Sequence, residues 1–305
     1  MIHCKELKKD FSTKEEMFKE LVKNENRIAD LKKATIKNTD SINIFGIKDT
    51  ESIKALSFVK DGYVYPIINT TNYFDSHGDV HFPNLWNKSL KDKSKKIFYV
   101  LEHELELDSV IAFPNDVNAF VKNVNWSDLG QSYNGQTQAL IFEIAKDKIR
   151  IEKVAELFQE QVNFENSIRM RYINVNLAIN STSSDYEKQY ALWKSRIDLV
   201  ANKDIAIEAG YMWCIDEASI EKEGSLVLFG SNDATPVIYQ KSEVEKVLKC
   251  DSCDEETEDF EAENGDIVCK KCGNKKKAEK SLSEIEAEQS LHVNEQLKQL
   301  LNKFN

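Results

Sequence analysis

The sequence predicts an α+β fold built on a mostly antiparallel or barrel-like sheet with flanking helices. Short apolar runs of strand length recur from residue 42 to residue 229. Helical periodicity is confined to a few separate stretches, and no regular strand-helix-strand repeat links the runs, which disfavours a doubly wound parallel sheet.

The first 40 residues read as a helical arm. Ser12 and Glu15 are spaced as a capping box, and Phe18, Leu21, Val22, Ile28 and Leu31 form a broken apolar stripe among charges. Strands follow in SINIFGI, IKALSFV and YVYPIINTT, the last two separated by Lys60-Asp61-Gly62, where Asp-Gly favours a hairpin turn. Further strands are expected at 97–101, 118–124, 139–144, 167–179 and 225–229, and helices at 149–161 and 186–200. In the run after Ser167, apolar residues sit on even positions at Ile168, Met170 and Tyr172, then on odd ones at Ile173, Val175, Leu177 and Ile179. That slip would expose the wrong face unless the strand bends, so a kink is expected at Tyr172 and Ile173. Ser167 should then share an exposed face with Arg169 and Arg171. The resulting organisation is an arm at 1–40, a main body at 41–245, a small metal module at 246–276 and a terminal helix at 277–305.

With 305 residues, 41% of them hydrophobic and 15 Phe, the chain is able to bury a full core. No stretch approaches the roughly 18 apolar residues of a membrane span, and the N-terminus lacks a signal-peptide core, so no membrane association is expected. A net charge of -11 argues against a general polyanion binder, because phosphate contact needs a concentrated basic face.

Four of the six cysteines, Cys250, Cys253, Cys269 and Cys272, form C-x2-C-x15-C-x2-C. Two such knuckles supply four sulfurs at tetrahedral corners, the coordination of structural Zn2+, with no position left open for catalysis. The acidic stretch between them holds few apolar residues (Phe260, Ile267, Val268), so metal binding, worth about 10 kcal/mol or more in small zinc modules, must stabilise it. Asn264-Gly265 marks a hairpin turn between the knuckles. Disulfides are the alternative, disfavoured without a secretion signal. Beyond the module, Lys270 to Lys280 is a basic linker, and Val293, Leu297, Leu300, Leu301 and Phe304 recur at helical spacing after Ser281 and Glu284.

Three distant residues have the types needed for nucleophilic catalysis. His103 ends IFYVLEH, Ser167 opens the long alternating run, and Glu223 heads EGSLVLFG. A serine, a base to take its proton and an acid to orient the base are the parts of a serine nucleophile. Each alone would be an ordinary strand-end residue.

Their order resembles the tailed-phage prohead maturation proteases, which share the assemblin-type serine protease fold of herpesviruses. Asp75, Gly78, Asp79 and Pro83 match that family's opening Asp-x-x-Gly-Asp and proline, with Asn84 where glycine is usual. His103 matches the histidine that closes an apolar strand, followed by Ile111-Ala112 in place of Ile-Gly. Ser167-Ile168 matches the nucleophile segment, with Arg169 for the usual glycine. Glu223, Ser225, Leu226, Val227 and Asn232 match the last landmark, with Gly230 at a proline position. The resemblance spans residues 64–238 and leaves out the arm and the zinc module.

It implies an assemblin-like serine endopeptidase that cleaves scaffold or capsid precursor segments during head assembly. Ser167 would attack the peptide carbonyl, His103 would take and return its proton, and Glu223 would orient the imidazole. Backbone N–H groups would form the oxyanion hole, with Arg169 or Arg171 as electrostatic helpers. The implied setting is the host cytoplasm inside the assembling prohead, as an oligomer, with the zinc module and terminal helices docking to a portal or capsid partner. Nucleic acid is not an expected partner. Three other readings compete: a hydrolytic metal centre built on Asp75, His77, Asp79 and His81; a non-catalytic capsid or scaffold assembly protein that keeps the fold; and a zinc-ribbon nucleic-acid binder.

Overall fold

The computed structural model describes residues 1–37, 58–160, 162 and 164–228, together with strands at 237–239, 248–249, 256–257, 260–263, 266–269 and 275–277. The expected strand at 41–47, most of that at 53–59, Cys250, Cys253, Cys272 and the terminal helix lie outside the described residues. Two compact units divide the chain, Met1–Lys241 and Ser242–Asn305.

A small antiparallel hairpin, β1 (Ile2–Cys4) and β2 (Lys9–Phe11), precedes the helices of the arm. Helix α1 (Lys14–Lys23) starts one residue later than the Ser12 cap predicts. Thr13 Oγ1 accepts the Glu16 N–H at 3.2 Å, so Thr13 is the cap, and Glu16 Oε2 reaches back to accept the N–H of Ser12, the residue before the cap, at 3.1 Å. Helix α2 (Glu25–Ala34) follows at once. Met17, Phe18, Leu21 and Ile28 bury the apolar stripe in the main core, while Leu31 stays exposed.

The body comprises two sheets. Its elements in chain order are β3 (Tyr63–Thr70), β4 (Asp79–His81), α3 (Asn87–Lys93), β5 (Phe98–Leu101), β6 (Val110–Ala112), β7 (Asn118–Asn125), β8 (Gln136–Ala145), α4 (Glu152–Gln159), β9 (Glu165–Ile179), α5 (Glu187–Arg196), α6 (Lys203–Ala209), β10 (Tyr211–Val227) and β11 (Val237–Tyr239). One sheet runs β11-β3-β8-β7, antiparallel throughout. The other runs β4-β10-β5-β6, with β9 also paired to β10. In this second sheet β10 lies parallel to β4 and β5 and antiparallel to β9. The α+β class therefore holds, with one antiparallel and one mixed sheet. The barrel-like arrangement is corrected: the described strands form open sheets, because β10 spreads its length over β4, β5 and β9 rather than closing on a last neighbour. Among the described residues no helix is long and apolar enough to cross a membrane.

Strand β9 bends where the sequence requires it. Tyr172 pairs with Ala218 and Asn174 with Glu217, so Ile173 is the extra residue of a bulge and is 43% exposed. A second shift on β10, between Ile215 and Glu217, restores the register beyond it. Both ends of β9 thus keep apolar residues inward.

Gly224 sets how closely the two sheets approach. A Cβ there would meet Phe142 Cε2 of β8 at 2.7 Å and Ile68 Cγ2 of β3 at 3.0 Å. Only a residue without a side chain lets β10 lie against that sheet, and Glu223 and Ser225, its immediate neighbours, point to the opposite face.

In the second unit, β12 (Leu248–Lys249) pairs antiparallel with β13 (Glu256–Thr257). A three-stranded antiparallel sheet follows, β14 (Phe260–Glu263), β15 (Asp266–Cys269) and β16 (Lys275–Lys277). Glu263 lies opposite Asp266, flanking the Asn264-Gly265 step.

Candidate active site

The three residues singled out in the sequence meet. Strand β10 supplies Glu223, β9 supplies Ser167, and the turn after β5 supplies His103. His103 Nδ1 lies 2.8 Å from Glu223 Oε1, and its Nε2 lies 2.8 Å from Ser167 Oγ. Carboxylate oxygens only accept, so the ring proton sits on Nδ1 and is donated to Glu223; the Nε2 lone pair then accepts the Ser167 hydroxyl proton. This is the tautomer a general base needs.

Register explains the meeting. Ser225 pairs with Ser167 across β9 and β10, and Glu223 pairs with Phe98 across β10 and β5. Alternation along β10 turns Glu223 and Ser225 to one face. Beside them β5 ends at Leu101, and the chain then makes a tight turn in which Glu102 and His103 both adopt left-handed backbone, φ 49° and 61°. Each such non-glycine residue costs on the order of 1 kcal/mol. Three hydrogen bonds hold the turn to the end of β10: Glu102 N–H to Leu226 O at 2.9 Å, His103 N–H to Ser225 Oγ at 3.0 Å, and Leu228 N–H to Glu102 Oε1 at 2.8 Å.

Burial is deep. Glu223 and Ser225 are 0% exposed and Ser167 is 1% exposed. The expectation of an exposed Ser167 is corrected: the imidazole packs over the hydroxyl, and the 13% exposure of the His103 side chain is what faces outward. Arg169 and Arg171 do lie half-buried on the same strand face as Ser167. A buried carboxylate is costly unless its oxygens are hydrogen-bonded. Glu223 meets that demand on both, with His103 on Oε1 and the Ser225 hydroxyl on Oε2 at 2.9 Å.

The cluster around Asp79 forms a different site from the metal centre its residue types suggest. Asp79 accepts from Lys32, from Lys37 Nζ at 2.6 Å and from Tyr172 Oη at 3.0 Å. Burial would raise its carboxyl, but the two ammonium groups overcome this and hold it well below the usual range. His81 Nε2 lies 3.0 Å from Tyr172 Oη and its Nδ1 3.0 Å from Asn69 Nδ2. Burial pushes His81 down to about 4, so the ring is neutral. Asp75 Oδ1 accepts the N–H groups of His77 and Asp79 at 2.8 and 2.9 Å, closing a turn in which Gly78 has φ 73°. Protein donors thus occupy the groups a metal would need, and among the described residues no cluster of three metal-ligating side chains occurs.

Sequence reasoning gave Lys32 and Lys37 no role, met Ser225 only as a matching landmark of the resemblance, and disfavoured Glu102 as an acid partner of His103. Lysines of an amphipathic arm carry no signal of where they insert, and the two residues around His103 acquire their roles only from strand register and turn geometry.

For the cysteine module, the pairing of β12 with β13 brackets Cys250 and Cys253. Cys269 ends β15, and the pairing of β15 with β16 brackets Cys272.

No protein-family model, curated protein or solved structure matches the chain.

Proposed function

We propose that this protein is a serine endopeptidase of the assemblin-like type that cleaves scaffold or capsid precursor segments as a phage prohead matures. The observation that carries the reading is the continuous relay Glu223–His103–Ser167, with both ring nitrogens of His103 at 2.8 Å from their partners. In the proposed cycle His103 Nε2 takes the Ser167 proton as Oγ attacks the scissile carbonyl. The imidazolium, paired to the Glu223 carboxylate, then gives that proton to the leaving amine. Water repeats the sequence to release the acyl group from Ser167.

The prohead setting rests on the ordered landmarks from Asp75 to Asn232. Zn2+ held by Cys250, Cys253, Cys269 and Cys272 would stabilise the second unit, and the antiparallel pairs around each cysteine pair fit that use. No step of the chemistry passes through it. Docking to a portal or capsid partner is the role proposed for this unit.

The deciding experiment is Ser167→Ala tested against capsid precursors in an assembling head. Loss of precursor cleavage with an unchanged folded protein supports the peptidase. A second reading, a non-catalytic assembly protein, is favoured by the 1% exposure of Ser167. Unchanged processing by the variant would select it.

A further inference from the structure

One buried hydroxyl sits at the junction of the relay and the turn that carries it. Ser225 Oγ accepts the His103 backbone N–H at 3.0 Å and donates to Glu223 Oε2 at 2.9 Å. It therefore touches the histidine through its main chain and the acid through its side chain, while lying across the ladder from Ser167. Nothing in nucleophilic catalysis requires a second serine here. We propose that Ser225 is a positioning residue that fixes the imidazole between acid and nucleophile. The inference rests on the peptidase reading of this site.

The geometry gives the hydroxyl two tasks. Left-handed backbone at both Glu102 and His103 is unfavourable, and the turn persists only where its surroundings over-determine it. Of its three bonds to β10, only the one to Ser225 reaches the backbone of His103 itself, so this bond fixes where the ring starts. The second task is electrostatic. A hydrogen bond to Oε2 draws charge away from Oε1, the oxygen that accepts Nδ1–H. Without that donor more charge stays on Oε1, and the Nδ1–H bond that aligns the ring changes in strength. A structural serine alone would influence folding; it would leave the Nδ1–H bond unmoved.

The test uses the full-length protein and a fluorophosphonate probe that captures an activated serine, so the natural substrate is not needed. Its rate is followed against pH for the wild type, Ser225→Ala and Ser225→Cys, with folding checked by circular dichroism. In parallel, the Nδ1 proton of His103 is observed by NMR in protein carrying labelled histidine, assigned by its loss in His103→Gln. Ser225→Ala should slow capture of Ser167 about 10- to 100-fold, the effect of losing one hydrogen bond to a charged group. It should also shift the Nδ1 proton signal. Ser225→Cys, which keeps the shape with a weaker donor, should fall between, and it decides the matter if the alanine variant fails to fold. Unchanged rate profiles and an unchanged proton signal would overturn the proposal. A wild-type protein that the probe never labels would overturn the peptidase reading instead, and the proton signal alone would then decide the role of Ser225.

Discussion

Ser167 and Ser225 are direct cross-strand partners on β9 and β10. This register brings the nucleophile candidate into line with the strand that carries the acid, since Glu223 lies two residues along β10 on the same face. The histidine is then the one member that must reach the site from outside the pair. The left-handed turn at Glu102 and His103 delivers it.

Glu223→Gln should keep the fold and lose the chemistry. The amide is close in shape to the carboxylate and leaves hydrogen bonds to His103 and Ser225 available, but it has no charge to stabilise the imidazolium and offers an N–H where the ring expects an acceptor. Turnover should fall about 10³- to 10⁴-fold with little change in melting temperature. A drop under tenfold in the rate of cleavage or probe capture would remove Glu223 from the relay.

Gly224→Ala should act through packing instead. The new methyl group would press on Phe142 at 2.7 Å and on Ile68 at 3.0 Å, both from the interior of the facing sheet. Overpacking of this kind costs about 1–3 kcal/mol. Urea denaturation should show that loss. Because Glu223 and Ser225 flank the displaced residue, activity should fall in the fraction that remains folded. A midpoint equal to that of the wild type would mean that the sheets part more easily than their contacts suggest.

Legibility in the sequence follows the physics of each element. The phase slip of β9 was readable because a strand with one buried face must keep its alternation, and the bulge at Ile173 is where it breaks. The first half of β10 was not readable. YMWCI is buried at every position, so it shows neither alternation nor helical period. His103, Ser167 and Glu223 were found only as ordered landmarks of a resemblance, since no local spacing links residues 64 and 56 positions apart. Burial of Ser167 was missed because it depends on a turn that folds back from another strand. Lys32 and Lys37 looked like solvated charges of the arm, yet both end on Asp79.

His81 should contribute an acid-sensitive part of the first unit's stability. It is opposed by Asp75, whose carboxyl is pushed up to about 6 by burial and by the neighbouring Asp79, and which therefore favours the folded state as pH falls. His81, pushed by burial to about 4 from an ordinary 6.5, takes its proton in the unfolded chain before it does in the folded one. Stability contributed by the neutral ring is therefore lost as pH falls from about 6.5 to about 4, by about 3 kcal/mol in all. Asp79 is shifted in the same sense, so its contribution is present above the unfolded value near 3.9 and disappears further into acid. Chemical denaturation between pH 7 and 4 should show the wild type losing stability relative to His81→Gln as pH falls, the comparison cancelling the opposite contribution of Asp75. Equal slopes in the two proteins would place the acid sensitivity elsewhere.

Removal of metal should separate the two units. The proposed binding of Zn2+ by four thiolates would couple the metal to the folding of residues 250–272, whose acidic stretch between the cysteine pairs holds few apolar residues. The relay is built wholly from residues of the first unit. A strong chelator, or Cys250→Ser, should release one zinc per chain and unfold the second unit, while probe capture by Ser167 continues at its original rate. Incorporation into capsids should be lost at the same time, because docking is the proposed role of that unit. Chain that binds no zinc when purified under reducing conditions would sink the metal assignment. Retained incorporation after metal loss would leave the zinc structural and assign docking to another surface.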